Sequence, residues 1–90
     1  MTDGDARTLE VASSAVRSLE RLPHKLAAAV VEFVTGVLTE NPHRLSKPLT
    51  AELQGLRSAR RGDYRVLFSL DEDTRVVLVV RIAHRAEAYR

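Results

Sequence analysis

Twelve of the fourteen cationic side chains in this sequence are arginines; the two lysines are Lys25 and Lys47. Arginine carries a planar fork of donors that fits phosphate and does not lose its charge in proteins. The charge is also unevenly spread. Residues 1–43 hold four Lys/Arg against six Asp/Glu, a net of −2, and residues 44–90 hold ten against six, a net of +4. That is the footprint of a phosphate-binding face, the plainer reading being a solvated surface. There is no cysteine, and His24, His43 and His84 have no His-x-x-x-His or His/carboxylate spacing, so no metal site or cofactor is expected. Gly62 stands outside any glycine-rich strand–loop–helix unit and reads as turn punctuation.

Whether the arginines can act together depends on the elements beneath them. Arg7 to Val11 alternates weakly and suits a short first strand. Ser13 or Ser14 can cap a helix running to about Leu22, burying Val16, Leu19 and Leu22. Pro23 suits the first turn of a second helix. There Leu26, Ala27, Val30, Val31, Phe33, Val34, Val37 and Leu38 form a wide apolar stripe that Asn41-Pro42 ends. Residues 43–55 read as a loop around Lys47-Pro48-Leu49. From Leu56 the period becomes two, giving strands over Leu56–Arg61, Tyr64–Leu70 and Val76–His84. The expected fold class is α+β: an N-terminal helical hairpin packed on one face of a small antiparallel β-sheet. Residues 1–90 form one domain, with 1–6 a frayed tail.

Strand parity then assigns the faces. Tyr64, Val66, Phe68 and Leu70 form one core row, and Val76, Leu78, Val80 and Ile82 the other. The outer rows hold Arg65, Leu67 and Ser69, then Val77, Val79, Arg81, Ala83 and, if the strand continues, Arg85. A two-residue turn at Gly62-Asp63 pairs Arg61 with Tyr64 and Arg60 with Arg65, so Arg60 joins the outer face with Ser58. Arg60, Arg65, Arg81 and Arg85 thus share one side. Like charges across a ladder destabilise it, so an anionic partner is expected there. The same register sends Arg57 and Arg61 to the helix side, where each must reach the sheet edge or meet a carboxylate.

The size and composition, 90 residues with 44% hydrophobic and 29% charged, fit one small globular domain. No apolar run approaches the ~20 residues needed to span a bilayer. Met1-Thr2-Asp3-Gly4-Asp5 lacks the basic-then-apolar order of a secretory signal, so a cytoplasmic protein without membrane contact is expected.

The segment Asn41–Arg90 resembles the RelE family of bacterial toxins, within the RelE/ParE superfamily. The carrying motifs are Lys47-Pro48-Leu49, Glu52-Leu53-Gln54-Gly55-Leu56, Arg60-Arg61-Gly62-Asp63-Tyr64-Arg65 and Arg81-Ile82-Ala83-His84-Arg85-Ala86-Glu87-Ala88-Tyr89-Arg90. The helices before them fit that family's helical hairpin. The resemblance implies the toxin of a type II toxin–antitoxin system: a ribosome-dependent mRNA endonuclease that acts on mRNA in the ribosomal A site. It also implies a hetero-oligomer with a cognate antitoxin, and contact with operator DNA only through that antitoxin. Arg65, Arg85 and Tyr89 match catalytic positions, and Arg60 matches a basic one; Arg61, Arg81 and Lys47 join Arg60 as RNA-binding candidates. Lysines found before the turn in well-known members are replaced here by Leu56 and Ser58.

Metal-free RNA cleavage uses the substrate's 2′-OH as nucleophile. It needs a proton acceptor, charge on the phosphorane and a donor for the leaving 5′-oxygen. Arg65 and Arg85 suit the charge role. With the lysines gone, His84, Lys47 or Glu87 could take the proton, His84 ranking first because imidazole titrates nearest neutrality. Tyr89 could stack on a base. Plainer readings stand beside these: Arg65 as an exposed strand arginine, His84 as an edge-capping histidine, Tyr89 as a seal for the sheet corner. The competing function is a ParE-like DNA gyrase poison with no nuclease activity. A third is a regulatory protein whose arginines meet an acidic antitoxin segment or operator DNA.

Overall fold

The computed structural model describes residues 7–50 and 53–84. Its elements are β1 (Thr8–Val11), α1 (Ser13–Glu20), α2 (His24–Glu32, continuing as a π-helical segment Phe33–Leu38), β2 (Ser46–Pro48), β3 (Arg57–Arg61), β4 (Tyr64–Asp71) and β5 (Val76–His84). Two helices pack on one five-stranded sheet of order β1-β5-β4-β3-β2. The α+β class stands, with the expected frayed tail at 1–6 outside the described residues. The sheet is mixed instead of antiparallel, because β1 runs parallel to β5. A four-residue edge strand separated from its partner by most of the chain leaves no hairpin signature to read. No helix among the described residues is long and apolar enough to cross a membrane.

The core follows helix and strand periods with two departures. In α2 and its extension Val30, Val34 and Leu38 are buried at four-residue spacing, against Phe68, Val66, Ala59, Val77, Val79 and Ile82 of the sheet. Leu26, Val31 and Val37 of the predicted stripe stay exposed, and in α1 the buried residue is Ala15 while Val16 is exposed. The wide turn at Phe33–Leu38 shifts the helix phase; there Thr35 Oγ1 donates to Val31 O at 2.7 Å and Thr39 Oγ1 to Thr35 O at 3.1 Å. Neither serine caps α1. Ala12 holds the N-cap position without a side-chain bond, and Ser14 Oγ instead donates to Val80 O at 2.6 Å. Pro23 occupies the N-cap of α2, one position earlier than expected.

The second departure is in β5. Leu67 pairs with Arg81 and Phe68 with Val79, so Val80 is an extra residue in the ladder. Below this bulge Val77 and Val79 are buried, where the simple alternation predicts Leu78 and Val80; above it Ile82 is buried and Arg81 faces outward, as predicted. The bulge also frees the Val80 carbonyl for Ser14. The chain enters α1 beside the same strand, with Ala12 N donating to Val79 O at 2.9 Å. So α1 lies in line with β1 along the β5 edge, one side on the core and the other toward the outer face.

Both tight turns have local causes. The β3–β4 hairpin has Gly62 at φ 62°, and the observed pairs Arg61–Tyr64 and Arg60–Arg65 are those the sequence predicts. In the β4–β5 turn Asp71 Oδ1 accepts from the backbone N–H of Asp73 (3.0 Å) and Thr74 (3.3 Å), and Arg75 takes φ 57°.

Candidate nucleic-acid interface

On the outer face, β2, β3 and β4 enclose a cleft of about 490 Å³. Arg44, Lys47, Arg60 and Arg65 line it with Ser46, Ser58 and the apolar Leu45, Pro48 and Leu49, and among the described residues no acidic one does. Arg60 and Arg65 are direct cross-strand partners. Arg60 is exposed, its Nε donating to Gly62 O at 3.0 Å; Arg65 sits deeper, with Nε buried. A polyanion laid here meets two guanidinium groups on the sheet and two cations from the edge segment. Such an arrangement can bind a phosphodiester and stabilise charge that develops on it.

Lys47 reaches this cleft because of Arg57. Ser46–Pro48, expected as loop, forms an edge strand against β3 in which Lys47 pairs with Ser58 and so faces outward. Three residues are too few to show alternation, and Pro48 is tolerated because the strand is at the edge. Arg57 starts on the helix side, as its register requires, and turns to the edge. Its Nε donates to Ser46 Oγ at 2.7 Å and its Nη2 to the carbonyls of Ser46 (3.2 Å) and His43 (3.4 Å).

The remaining predicted residues are divided between the faces. Arg81 faces outward in a neighbouring groove with Leu67 and Val80. Arg61 and His84 lie on the other face, in a hollow with Leu26, Ala29, Val30 and Tyr64. There the His84 ring meets Tyr64 edge-on, centroids 5.7 Å apart and planes at 83°. His84 therefore does not line the arginine cleft, whereas Lys47 does. Arg85, Glu87 and Tyr89 lie outside the described residues. Among the described residues no group of three or more His, Asp or Glu could hold a metal.

The model of the ParE toxin family, toxins of type II toxin–antitoxin systems, matches residues 9–89. The chain belongs to that family. It is 50% identical to toxin RelE of Mycobacterium tuberculosis over 90 residues, covering 100% of this chain and 93% of that protein. Toxin RelG of the same organism is 46% identical over 83 residues, 92% of this chain and 95% of that one. The crystal structure of the M. tuberculosis toxin–antitoxin complex RelBE2 aligns with a TM-score of 0.86 at 44% identity, over 89% of this chain and 99% of that one.

In this ParE-family chain the cleft residue that sequence reasoning missed is Arg44, whose signal was a cation just before Lys47-Pro48-Leu49. A second omission is Glu72. Its carboxylate accepts from Arg7 Nε (3.0 Å) and Nη2 (3.1 Å) and bonds His43 Nε2 at 2.6 Å, joining the start of β1, the loop before β2 and the β4–β5 turn. The hydrogen bonds from Arg7, and then from His43, pull the Glu72 carboxyl from 4.5 down to about 2. A depressed folded value favours the folded state above the ordinary carboxylate range, and that contribution disappears as pH falls toward 2. Urea midpoints of wild type and Glu72→Gln should therefore differ at pH 6 and converge near pH 2. Parallel curves across that window would show that the carboxylate is not the source.

Proposed function

We propose that this chain is the toxin of a type II toxin–antitoxin pair and cuts mRNA on the ribosome by a metal-independent reaction. The observation that carries the reading is the cleft in which Arg44, Lys47, Arg60 and Arg65 converge. Similarity to proteins named RelE and RelG supports it independently. In the proposed mechanism Arg60 and Arg65 hold the scissile phosphate, and Arg65 stabilises the phosphorane formed when the adjacent 2′-OH attacks. Of the groups considered for taking that proton, Lys47 is the one lining the cleft. Glu87 lies outside the described residues, and His84 faces away from the cleft. Arg85 and Tyr89 keep the catalytic roles that the resemblance gives them. The protein acts in the cytoplasm and is neutralised in a hetero-oligomer by a cognate antitoxin, just as the similar RelBE2 assembly is a toxin–antitoxin complex.

The family model's ParE description favours a second reading, a gyrase poison without nuclease activity. Primer extension on transcripts from induced cells separates the two. The nuclease reading expects new 5′ ends within translated regions, absent when translation is blocked. Intact mRNA with trapped gyrase–DNA adducts would overturn it.

A further inference from the structure

Beside the arginine cleft, on the same outer face, lies a second groove of about 460 Å³ that the RNA-cleaving reading leaves unused. One wall is α1 with Ser14, Arg17, Ser18 and its C-cap Arg21; the other is the sheet, with Leu67, Val80 and Arg81, and Leu53 and Leu56 before β3 close the groove. Among the described residues no acidic side chain lines it. The two grooves are neighbours on the sheet: Lys47, Ser58, Leu67 and Arg81 form one cross-strand row from β2 to β5, in which Lys47 and Ser58 line the first and Leu67 and Arg81 the second. Arg17 and Arg21 are exposed and enter no ion pair among the described residues. Being four residues apart on one helix, they are separated by about 6 Å along the axis, a good match to consecutive phosphates of an extended strand. The negatively charged half of the sequence thus contributes its two α1 arginines to the positively charged face.

We propose that Arg17 and Arg21, facing Arg81, form a second phosphate-binding track that holds the single-stranded RNA flanking the scissile bond. The inference rests on the nuclease reading and extends its substrate contact from one phosphate to a run of several. α1 is fixed for this purpose by its own strand contacts, Ala12 N to Val79 O and Ser14 Oγ to Val80 O. A single strand long enough to reach both grooves would meet Lys47 and Arg60 in the first and Arg17 and Arg21 in the second. Ser14 is already committed to the Val80 carbonyl, which leaves the two guanidinium groups as the strand's contacts on α1.

The test uses the full-length protein and 2′-O-methyl RNA, which binds but cannot be cut, as a trinucleotide, a nonanucleotide and a duplex hairpin. Fluorescence anisotropy should show Arg17→Ala/Arg21→Ala losing on the order of tenfold in nonanucleotide affinity at low salt. The slope of log affinity against log salt should flatten by about 1.4 for two lost phosphate contacts. Trinucleotide affinity should be unchanged, and Arg17→Lys/Arg21→Lys should retain most of the nonanucleotide binding. Wild-type nonanucleotide binding by the alanine variant would overturn the proposal. So would equal losses on both single strands, or a loss confined to the hairpin. Arg65→Ala run in parallel should weaken trinucleotide and nonanucleotide alike; if it weakens neither, the cleft reading itself fails, whatever α1 does.

Discussion

Replacing Arg65 with alanine should lower mRNA cleavage by roughly 10²–10³-fold, the usual loss when one preorganised donor to developing charge is removed. Arg65 faces outward from the centre of the sheet with its Nε buried, in the cleft where the phosphate is proposed to bind. Arg60, across the ladder, is exposed and tied to the Gly62 carbonyl, and its removal should affect binding more than turnover. The effect on stability should be far smaller. Deleting one of two directly opposed cations relieves repulsion worth about 0.2–1 kcal/mol, which offsets the contacts the side chain gives up, so the urea midpoint of Arg65→Ala should move little. In cells the variant should no longer arrest growth on induction, and Arg85→Ala should behave likewise. If both remained as toxic as wild type, the arginine-centred mechanism would be wrong. Activity lost together with stability would mean that Arg65 is structural.

Phe68→Ala should have the largest effect on the fold, about 3–5 kcal/mol. Phe68 has no exposed surface and packs where the sheet meets the apolar row of α2. Domains of this size usually have a total stability of about 5–15 kcal/mol, so the variant should be largely unfolded at modest urea. It also sits at the register shift, paired with Val79 beside the unpaired Val80, so a void there would loosen the strand that carries Arg81. Phe68→Leu, which keeps most of the volume, should lose much less. A denaturation curve placing Phe68→Ala within 1 kcal/mol of wild type would contradict this packing.

The hairpin that carries Arg60 and Arg65 was legible in full, because a glycine at the first turn position admits one register and parity does the rest. Legibility stopped wherever an element broke its own period. The apolar stripe of α2 looked wider than the buried face because the turn at Phe33–Leu38 changes phase, leaving Val37 outside. The β5 alternation points the wrong way below Val80 for the same kind of reason: valine on both sides of a bulge gives no mark of where the extra residue sits. Lys47 was legible as a candidate but not as a strand residue, since its placement depends on Arg57 reaching round the sheet edge. Chemistry alone favours His84 as the proton acceptor, but its strand parity, readable from Ile82, sends it to the helix side.

The extra residue at Val80 lets one strand serve two unrelated surfaces. From Val76 to Val79 the strand is wedged between a parallel and an antiparallel neighbour and alternates to suit the interior. From Arg81 onward its phase is reset, and the side chains there answer to whatever lies across the outer face. Substitutions at Arg81 can therefore vary without disturbing Val77 or Val79. A change in chain length between them would transmit at once, turning a guanidinium into the interior and an isoleucine out to water. Selection on the binding surface is thus free to act by replacement in this stretch, while insertion and deletion are closed to it.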